Sequence, residues 1–249
     1  MQGKTIIITG AAGEIGFATA KLFVEAGANV MLVDINEDAL QQKAKALNNS
    51  ERVGYQKADV TRAEDVQAYV KATTDRFGGI DLFFNNAGIE GDVMPIHKMD
   101  MENFDQVMQV NVYGVVLGMK YVMPAMNDGG SIVITSSVAG LQGTPGMLPY
   151  ITSKHATIGI MRTAALEGAE RGIRVNTVHP GVIDSRMMES LEAGLGEDAK
   201  AVRKSFEQQV PLGRYGQEQE VAQTVFFLLS DKAAYTTGST YVLDGGLLV

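Results

Sequence analysis

The chain has 249 residues, of which 45% are hydrophobic and 20% are charged, and it contains no cysteine. A chain of this length can build a core without covalent staples, and the missing cysteines exclude a disulfide framework, a zinc finger and a thiol nucleophile. The formal net charge is -8, whereas contacts to nucleic-acid phosphates need clustered Lys and Arg, so we expect no nucleic-acid partner. No uncharged apolar run approaches the ~20 residues that cross a bilayer, and we see no secretory signal, so we expect a soluble, cytoplasmic protein without a membrane partner.

Short apolar runs alternate with longer amphipathic stretches along the chain. The apolar runs predict strands at 5–8, 30–33, 53–56, 80–84, 132–134, 173–175 and 240–243. The amphipathic stretches predict helices that end near 26, 47 and 77, and further helices near 101–126, 148–170 and 217–229. Strands that alternate with helices form right-handed crossovers in a mostly parallel sheet. We therefore predict an α/β fold: a single doubly wound Rossmann domain over residues 1–249, with a mostly parallel seven-stranded sheet and helices on both faces.

The segment from about 184 to 212 is the least regular part of this pattern. It is rich in Met, Leu, Glu and Gly and carries no strand signal. Excursions of this length within a compact domain are often lids or binding segments, so we predict a substrate-binding lid here. Met187, Met188, Leu191 and Leu195 could cover the substrate, or they could simply pack the segment on the domain. The sequence leaves both interpretations open.

A glycine-rich turn follows the first predicted strand and opens the first helix. It reads Thr9-Gly10-Ala11-Ala12-Gly13-Glu14-Ile15-Gly16. Glycines permit a tight turn and a close approach of the backbone to a pyrophosphate, and free N–H groups at a helix start favour the anion. The turn predicts dinucleotide binding, with cofactor contacts from Gly10, Gly13, Glu14, Ile15 and Gly16.

Asp34 ends the second predicted strand, 18 positions after Gly16. A carboxylate at this place accepts hydrogen bonds from the adenosine ribose and repels a 2′-phosphate. The preceding residue, Val33, supplies no positive charge. The pattern favours NAD over NADP as the cofactor. A compatible alternative is that Asp34 caps the helix that begins near Asn36.

Tyr150 and Lys154 are four residues apart in a predicted helix, so they share one face. A phenol ordinarily has a pKa near 10, and a nearby ammonium lowers it, so the pair can exchange a proton with an alcohol or a ketone. Ser136 and Ser137 follow a predicted parallel strand at the sheet edge where ligands bind. A serine hydroxyl at this place can hold the substrate oxygen beside the phenol.

These residues occur in the order and spacing of the short-chain dehydrogenase/reductase family, which the chain resembles from Lys4 to Gly246. The shared positions are Thr9-Gly10, Gly13, Gly16, Asn85-Asn86-Ala87-Gly88, Asn111, Ser137, Tyr150, Lys154 and Pro180-Gly181. The resemblance implies that Tyr150 is the general acid/base. It further implies that Lys154 lowers the pKa of Tyr150 and binds the nicotinamide ribose, that Ser137 binds the substrate oxygen, and that Asn111 holds a water in a proton relay.

The resemblance also implies cofactor contacts beyond the glycine-rich turn. Asp59, followed by Val60, is expected to accept a hydrogen bond from the adenine amine. Asn86, Ala87 and Gly88 are expected to form a wall along the cofactor. Ile183, after Pro180-Gly181, is expected to bind the carboxamide through its backbone, and Ser185 stands where the family usually has a hydrogen-bonding threonine.

Glu14 is a departure from the short members of the family, which usually have a glycine at this position. With Gly13 before it, the turn has the spacing of the extended members. A carboxylate beside a pyrophosphate is unfavourable unless it points away. We expect Glu14 to point to solvent at the helix start, where the helix dipole stabilises it.

The predicted function is interconversion of a secondary alcohol and a ketone by NAD-dependent hydride transfer. The substrate side is expected to be mostly uncharged, which suggests an apolar or cyclic alcohol; its expected residues are Glu90, Gly91, Val93, Gln142, Met147, Val182, Met187 and Met188. One alternative is a 3-oxoacyl-thioester reductase, but that substrate needs a basic docking patch and NADPH. The stretch 126–129 carries no base, although Arg171 is available. A non-catalytic dinucleotide-binding sensor is a weaker alternative, because it would have lost Ser137, Tyr150 or Lys154.

Two further expectations concern metals and assembly. His97, His155 and His179 are scattered and have no metal-binding spacing, so we predict no metal. The helices near 101–126 and 148–170 have apolar faces, and in the family these helices build a dimer while the C-terminal strand region builds a second interface. The resemblance therefore implies a homotetramer.

Overall fold

Strands and helices alternate through the computed structural model, which describes residues 1–195 and 198–249, with only the backbone of Leu195. The strands are β1 Thr5–Thr9, β2 Asn29–Asp34, β3 Val53–Lys57, β4 Ile80–Asn85, β5 Met126–Thr135, β6 Arg174–Pro180 and β7 Thr240–Leu243. The helices are α1 Glu14–Glu25, α2 Glu37–Leu47, α3 Ala63–Phe77, α4 Met101–Met108, α5 Gly114–Ala125, α6 Leu148–Gly168, α7 Arg186–Leu195, α8 Ala199–Gln209 and α9 Glu218–Leu229. None of the described helices has the length and apolar character needed to cross a membrane.

The strands of the described residues form one seven-stranded sheet in the order β3-β2-β1-β4-β5-β6-β7. All six strand pairs are parallel; for example, Ile7 pairs with Met31 on one side and with Phe83 on the other. The order reverses between β1 and β4, and ligands of such sheets bind at this switch point beyond the carboxyl ends of the strands. The predicted doubly wound fold is confirmed, and the sheet is fully rather than mostly parallel.

Two apolar layers cover the sheet, which explains why its strands are continuous apolar runs. Ile6 and Ile8 pack with α1, α2 and α9 on one face, where Phe23 and Leu40 are buried. Ile7 packs on the other face, with the buried residues of α3, α5 and α6.

Several boundaries differ from the sequence prediction. β5 begins at Met126, six residues early, because Met126 pairs with Ile80 before a register shift. The predicted helix 101–126 is interrupted at Gln109–Tyr113 by a π-helical turn. The spacing of apolar residues does not reveal such a turn, because a π-helical turn inserts one residue into the helix and leaves its buried face apolar.

The segment 184–212, the least regular part of the sequence pattern, contains two helices, and its role as a lid stays a prediction. It contains α7 and α8, and its residues 196–197 lie outside the described part of the chain. The two helices contribute to a small core of their own, formed by Val182, Met188, Leu191, Val210 and Tyr215. Met188 and Leu191 lie on α7, whereas Val182, Val210 and Tyr215 lie in loops, so no single stretch has a long helical pattern.

Candidate active site

A cavity of about 520 Å³ lies at the carboxyl edge of the sheet, and residues of α7 and α8 contribute to its lining. Most of the predicted site residues line it: Gly10, Gly13, Glu14, Ile15, Gly16, Asp34, Asn86, Ala87, Gly88, Ser137, Tyr150, Lys154, Pro180, Gly181, Ile183 and Ser185. Three predicted residues, Asn111, Asp59 and Val60, are not among its lining residues. The structure thus gathers residues from six separate parts of the chain around one cavity.

The glycine-rich turn is shaped for close approach of a ligand. Gly10 has a φ of +63°, and a Cβ atom on Gly16 would lie 2.3 Å from the carbonyl oxygen of Gly10. Gly13 is the N-cap of α1 and provides no side-chain cap, so the first N–H groups of this helix remain available to an anion. These features fit the pyrophosphate of a dinucleotide.

Asp34 is held at the edge of the cavity by backbone donors. Its Oδ2 accepts from Ala12 N at 3.1 Å, and its Oδ1 accepts from Asn36 N at 3.1 Å. The N-cap of α2 is Asn36, whose Oδ1 accepts from Ala39 N at 3.1 Å, so the alternative in which Asp34 caps this helix is wrong. The nearby Lys57 has its ammonium 3.9 Å from Glu37, not on Asp34.

Side-chain hydrogen bonds join the ends of β1, β4 and β5. Thr9 Oγ1 accepts from Asn86 N at 2.9 Å and from Ala87 N at 3.2 Å. Asn86 Nδ2 donates to Thr9 O at 3.1 Å, and Thr135 Oγ1 donates to Asn86 Oδ1 at 2.9 Å. These bonds fix the wall of the cavity, and the sequence analysis did not identify Thr135 as part of it.

Ser137, Tyr150 and Lys154 meet where β5 and α6 face the cavity. Tyr150 and Lys154 lie one turn apart on α6 and are both buried. Tyr150 Oη donates to Met187 Sδ at 3.8 Å, and Lys154 Nζ donates to Thr135 O at 3.0 Å. The ammonium lies 5.4 Å from the centroid of the Tyr150 ring.

Burial dominates the ionisation of this pair. It raises the pKa of Tyr150 to about 12; a hydrogen bond with Ser137 lowers this pKa, and the Glu90 carboxylate raises it. Burial likewise lowers the pKa of Lys154 to about 8. The expectation that the Tyr150 pKa lies below 10 is not met in the protein alone. The ammonium lies over the ring and donates to Thr135, while burial penalises both charged forms.

Asn111 lies in the π-helical turn and is fully buried. Its Oδ1 accepts from Ile89 N at 2.8 Å, and its Nδ2 donates to Ile89 O at 2.8 Å and to Ser153 Oγ at 3.0 Å. A Cβ atom on Gly88 would lie 3.2 Å from Asn111 Oδ1 and 3.4 Å from Lys154 Nζ, so both groups approach the same point. The relay through Asn111 stays a prediction.

Asp59 and Val60 follow β3. Asp59 Oδ1 accepts from Thr61 N at 2.9 Å and from Thr61 Oγ1 at 2.7 Å. Val60 packs against α5, where a Cβ atom on Gly114 would lie 2.9 Å from its Cγ2. Their contact with an adenine stays a prediction.

The loop after β6 leads from the sheet into the lid. A Cβ atom on Gly181 would lie 2.8 Å from Asp244 Cα, so a side chain at this position would collide with the segment after β7. Ser185 Oγ donates to Ile183 O at 3.1 Å and accepts from Met188 N at 3.4 Å, which stabilises the start of α7. Ser185 therefore faces the cavity with its hydroxyl already bound to local backbone.

Of the expected substrate-side residues, Gln142, Met147, Val182, Met187 and Met188 line the cavity. Glu90, Gly91 and Val93 are not among its lining residues. The sequence analysis did not include Thr144, Phe206 and Leu247, which also line the cavity.

His179 supports the site from within the sheet. Its Nδ1 lies 2.8 Å from Ser137 O, and its Nε2 lies 2.8 Å from Thr177 Oγ1. Burial lowers its pKa, so the neutral ring donates to Ser137 O and accepts from the Thr177 hydroxyl. In the described part of the chain, no three metal-binding side chains come together.

Comparisons with known proteins identify the family. A family model described as Enoyl-(Acyl carrier protein) reductase matches residues 10–248. The chain is 40% identical to a 2,5-dichloro-2,5-cyclohexadiene-1,4-diol dehydrogenase of Sphingobium indicum, covering 99% of this chain and 97% of the relative. It is 40% identical to a cyclohexanol dehydrogenase of Acinetobacter sp. (98% and 94% covered), and 40% identical to a 3-oxoacyl-[acyl-carrier-protein] reductase of Thermotoga maritima (100% and 99% covered).

Solved structures agree with these relatives. The crystal structure of a levodione reductase superposes with a TM-score of 0.95 at 38% identity, covering 99% of this chain and 98% of the other. An NAD+-bound xylitol dehydrogenase superposes with a TM-score of 0.92 at 35% identity, covering 98% and 99%.

The chain belongs to the short-chain dehydrogenase/reductase family. It is an oxidoreductase that interconverts a secondary alcohol and a ketone with a nicotinamide cofactor.

Proposed function

We propose that the protein is an NAD-dependent dehydrogenase of apolar, cyclic secondary alcohols, with Tyr150 as its general acid/base. The observation that carries this proposal is the position of Tyr150. This residue lines the same cavity as Ser137 and the apolar residues Met147, Met187, Met188, Leu191 and Phe206, and its hydroxyl donates to Met187 Sδ at 3.8 Å. A nicotinamide bound in the same cavity would supply or accept the hydride.

The roles of the chain's own residues follow from their contacts. The Ser137 hydroxyl holds the substrate oxygen beside Tyr150, which removes the hydroxyl proton in oxidation and returns it in reduction. Lys154 binds the nicotinamide ribose and stabilises the phenolate form of Tyr150. His179 holds the Ser137 carbonyl, and Asn111 connects the loop after β4 to α6 and lies near Lys154. This arrangement orients the reacting oxygen without requiring a metal.

The choice of NAD rests on Asp34. Its carboxylate lies at the cavity edge where the adenosine ribose would bind, and a 2′-phosphate at that place would be repelled. The residues that follow, Ile35 and Asn36, supply no positive charge. The NAD+-bound state of a structurally similar xylitol dehydrogenase supports this choice.

The substrate class rests on the apolar lining and on the relatives. Two of them are named for a cyclohexadiene diol and for cyclohexanol. An uncharged ring matches a cavity end built from methionine, leucine and phenylalanine side chains, which adapt to irregular apolar shapes.

The alternative of a 3-oxoacyl-thioester reductase has one similar relative in its favour. Against it stands Arg171, the base that could dock an acidic carrier. Its Nε donates to Asp128 Oδ1 at 2.8 Å, and its other nitrogens donate to Met123 O and Met126 O. The sensor alternative is disfavoured because Ser137, Tyr150 and Lys154 are all present.

We further propose that the segment 184–212 is the substrate lid and that the protein is a homotetramer. Met187, Met188 and Leu191 both line the cavity and pack within the lid, so covering the substrate and packing on the domain are compatible. Exposed apolar side chains on α5, α6, α9 and β7 support assembly through two surfaces. The cytoplasmic location stays a prediction from the sequence.

A substrate panel tests the proposal. Cyclohexanol, a linear secondary alcohol, xylitol and a 3-oxoacyl thioester are assayed with each cofactor. We expect kcat/KM to be highest for cyclohexanol, and at least about 100-fold higher with NAD than with NADP. Equal use of both cofactors would contradict the role of Asp34, and a preference for the thioester would support the alternative.

The matched variant for cofactor choice is Asp34→Ser. It removes the charge that repels a 2′-phosphate while keeping a small polar side chain. We expect the NAD preference to fall at least tenfold. An unchanged preference for NAD would show that residues other than Asp34 discriminate between the two cofactors.

A further inference from the structure

Arg186, the first residue of α7, connects the two walls of the cavity. Its Nη1 donates to Glu90 Oε1 at 3.0 Å and its Nη2 donates to Glu90 Oε2 at 3.3 Å. Its backbone N–H donates to Glu14 Oε1 at 3.4 Å. Glu14 belongs to the glycine-rich turn and Glu90 to the loop after β4. The start of the lid is thus bound to both sides of the cleft, and Glu14 is exposed, as expected, but oriented toward α7.

Glu90 lies against the start of α7. Besides its bonds with Arg186, the nearby Ser190, one turn further along the helix, helps to lower the pKa of this carboxyl. The Glu90 side chain is only 11% exposed, whereas that of Arg186 is 63% exposed. Burial alone would raise the pKa of Glu90, but the hydrogen bonds from Arg186 and Ser190 and the charge of Arg186 hold it below its ordinary value. Within this pair, the Glu90 carboxylate is therefore charged and mostly buried, whereas the Arg186 guanidinium is mostly exposed.

The next residue, Met187, contacts the acid/base directly. Its Sδ accepts from Tyr150 Oη at 3.8 Å, so any displacement of the start of α7 moves the atom that covers the Tyr150 hydroxyl. Two ionisable groups act directly on Tyr150: Lys154 on its own helix, with its ammonium 5.4 Å from the ring centroid, and Glu90 on the loop after β4. Arg186 on α7 pairs with Glu90, and His179 on β6 binds the Ser137 carbonyl. The Glu90 charge raises the pKa of Tyr150, and the Arg186 charge beside it opposes that effect.

We propose that Glu90 and Arg186 form a positioning pair that seats the start of α7, places Met187 over Tyr150 and presents the acid/base with two cancelling charges. This inference rests on the proposed role of Tyr150. Glu14 also binds the start of α7, because its carboxylate accepts from the Arg186 N–H. This contact gives a structural role to the carboxylate at a position where the short members of the family usually have glycine. A bidentate arginine–carboxylate pair with one enclosed partner is suited to this task because it fixes orientation as well as distance.

The test compares Glu90→Gln, Arg186→Met and the double variant. The pH dependence of cyclohexanol oxidation by NAD is measured for each. Glu90→Gln leaves the arginine unpaired and should move the midpoint of the alkaline limb down by about half a pH unit or more. Arg186→Met leaves the Glu90 carboxylate unpaired and should raise this midpoint by a similar amount. The midpoint of the double variant should lie near that of the parent. Arg186→Lys should recover part of the parent behaviour.

Arg214→Met is the matched control. Arg214 makes a bidentate pair of the same geometry with Glu220, at 2.8 and 2.7 Å, but at the start of α9. Its removal should leave the pH limb unchanged. Hydrogen exchange of the α7 amides, measured on the protein without cofactor, should be at least about threefold faster in Glu90→Gln and Arg186→Met and unchanged in Arg214→Met.

The outcomes separate this inference from the proposed function. Shifts in the same direction, absent shifts, or unchanged exchange of α7 would overturn the positioning pair. If Tyr150→Phe loses activity while the pair variants behave as the parent, only the positioning pair fails. If Tyr150→Phe keeps both activity and the alkaline limb, the proposed function fails as well.

Discussion

Burial determines the chemistry of individual residues at this site. Tyr150 and Lys154 are both removed from water, and each is shifted toward its neutral form. The only hydrogen bond of the Lys154 ammonium in the described residues is to Thr135 O. A charge buried in this way destabilises the folded protein.

The first prediction is that Tyr150→Phe removes nearly all turnover but leaves NADH binding nearly intact. The ring keeps its packing, and only the proton carrier is lost. In the parent, oxidation requires the deprotonated phenol, so the rate should rise with pH through the alkaline range toward the raised pKa. The pH profiles of both proteins check this. If the residual rate of the variant rises with pH along the same alkaline limb, the group that titrates in this limb is not Tyr150.

The second prediction is that Lys154→Met abolishes activity and weakens NADH binding, yet stabilises the fold. At pH 7 the parent keeps a buried ammonium whose pKa is about 8 when folded. The unfolded chain binds this proton more tightly, so stability rises with pH between about 8 and 10.5. Below that window, the variant should gain about 2 kcal/mol in free energy of unfolding, after allowance for the lost bond to Thr135 O.

Urea unfolding at pH 7 and pH 10 measures this gain, which should shrink at the higher pH. Lys120→Met, at an exposed position on α5, is the control and should change stability little. A variant less stable than the parent at pH 7 would show that the ammonium contributes more to packing than burial costs.

At the scale of elements, the site depends on how β5, β6 and α7 are joined at the carboxyl edge. His179 on β6 links to Ser137 after β5, and Ser185 begins α7 directly after the β6 loop. Ser137 is thus held both by the turn that follows it, through Ala139 N, and by His179 of the neighbouring strand. The position of its hydroxyl relative to Tyr150 is therefore sensitive to the state of His179.

The third prediction is that His179 makes the fold sensitive to mild acid. Burial lowers its pKa below 6.5, so the unfolded chain binds more protons as the pH falls. The stability of the neutral form is fully present above pH 6.5 and is lost as pH falls toward the folded pKa, by at most about 1.4 kcal/mol per pH unit. His179→Asn should be less stable at pH 7 but lose less stability between pH 6.5 and 5. The exposed His155→Asn should follow the parent; identical slopes for all three proteins would exclude this origin.

At the scale of the whole molecule, the acidic chain exposes many large apolar side chains, and two groups of them bear on assembly. Tyr113, Val116 and Leu166 lie on or next to α5 and α6, while Phe227 and Val242 lie on α9 and β7. Exposed patches of this kind commonly mark contacts between subunits. Two separate patches on one chain match the two interfaces that a homotetramer with twofold symmetry requires.

The fourth prediction is that Leu166→Glu weakens this assembly. Leu166 is 80% exposed in the single chain, so a charge there should cost little in the monomer but much within a subunit contact. Light scattering at micromolar concentration should give a tetramer for the parent and smaller species for the variant. Tyr55→Glu, at an exposed position on the edge strand β3, should remain tetrameric. A monomeric parent would contradict the proposed assembly.

The sequence by itself determined most of the elements and which residues gather around the cavity. Apolar runs and amphipathic stretches are local patterns, and they predicted the strands and the parallel order closely. Once the strands are parallel, their carboxyl ends must meet at one edge, which brings Gly10, Asp34, Asn86, Ser137 and Gly181 together. Each of these residues could therefore be identified from its place after a strand and from its chemistry.

Only the tertiary structure decided the electrostatics and the supporting contacts. The raised pKa of Tyr150 depends on burial and on Glu90, which is 60 residues away in the sequence. The bond of His179 to Ser137, the pairing of Arg186 with Glu90 and the two helices of the lid had no local signal either. A pKa depends on solvent exclusion and on charges brought near by folding. These are properties of the assembled protein, and they cannot be read from the spacing of residues along the chain.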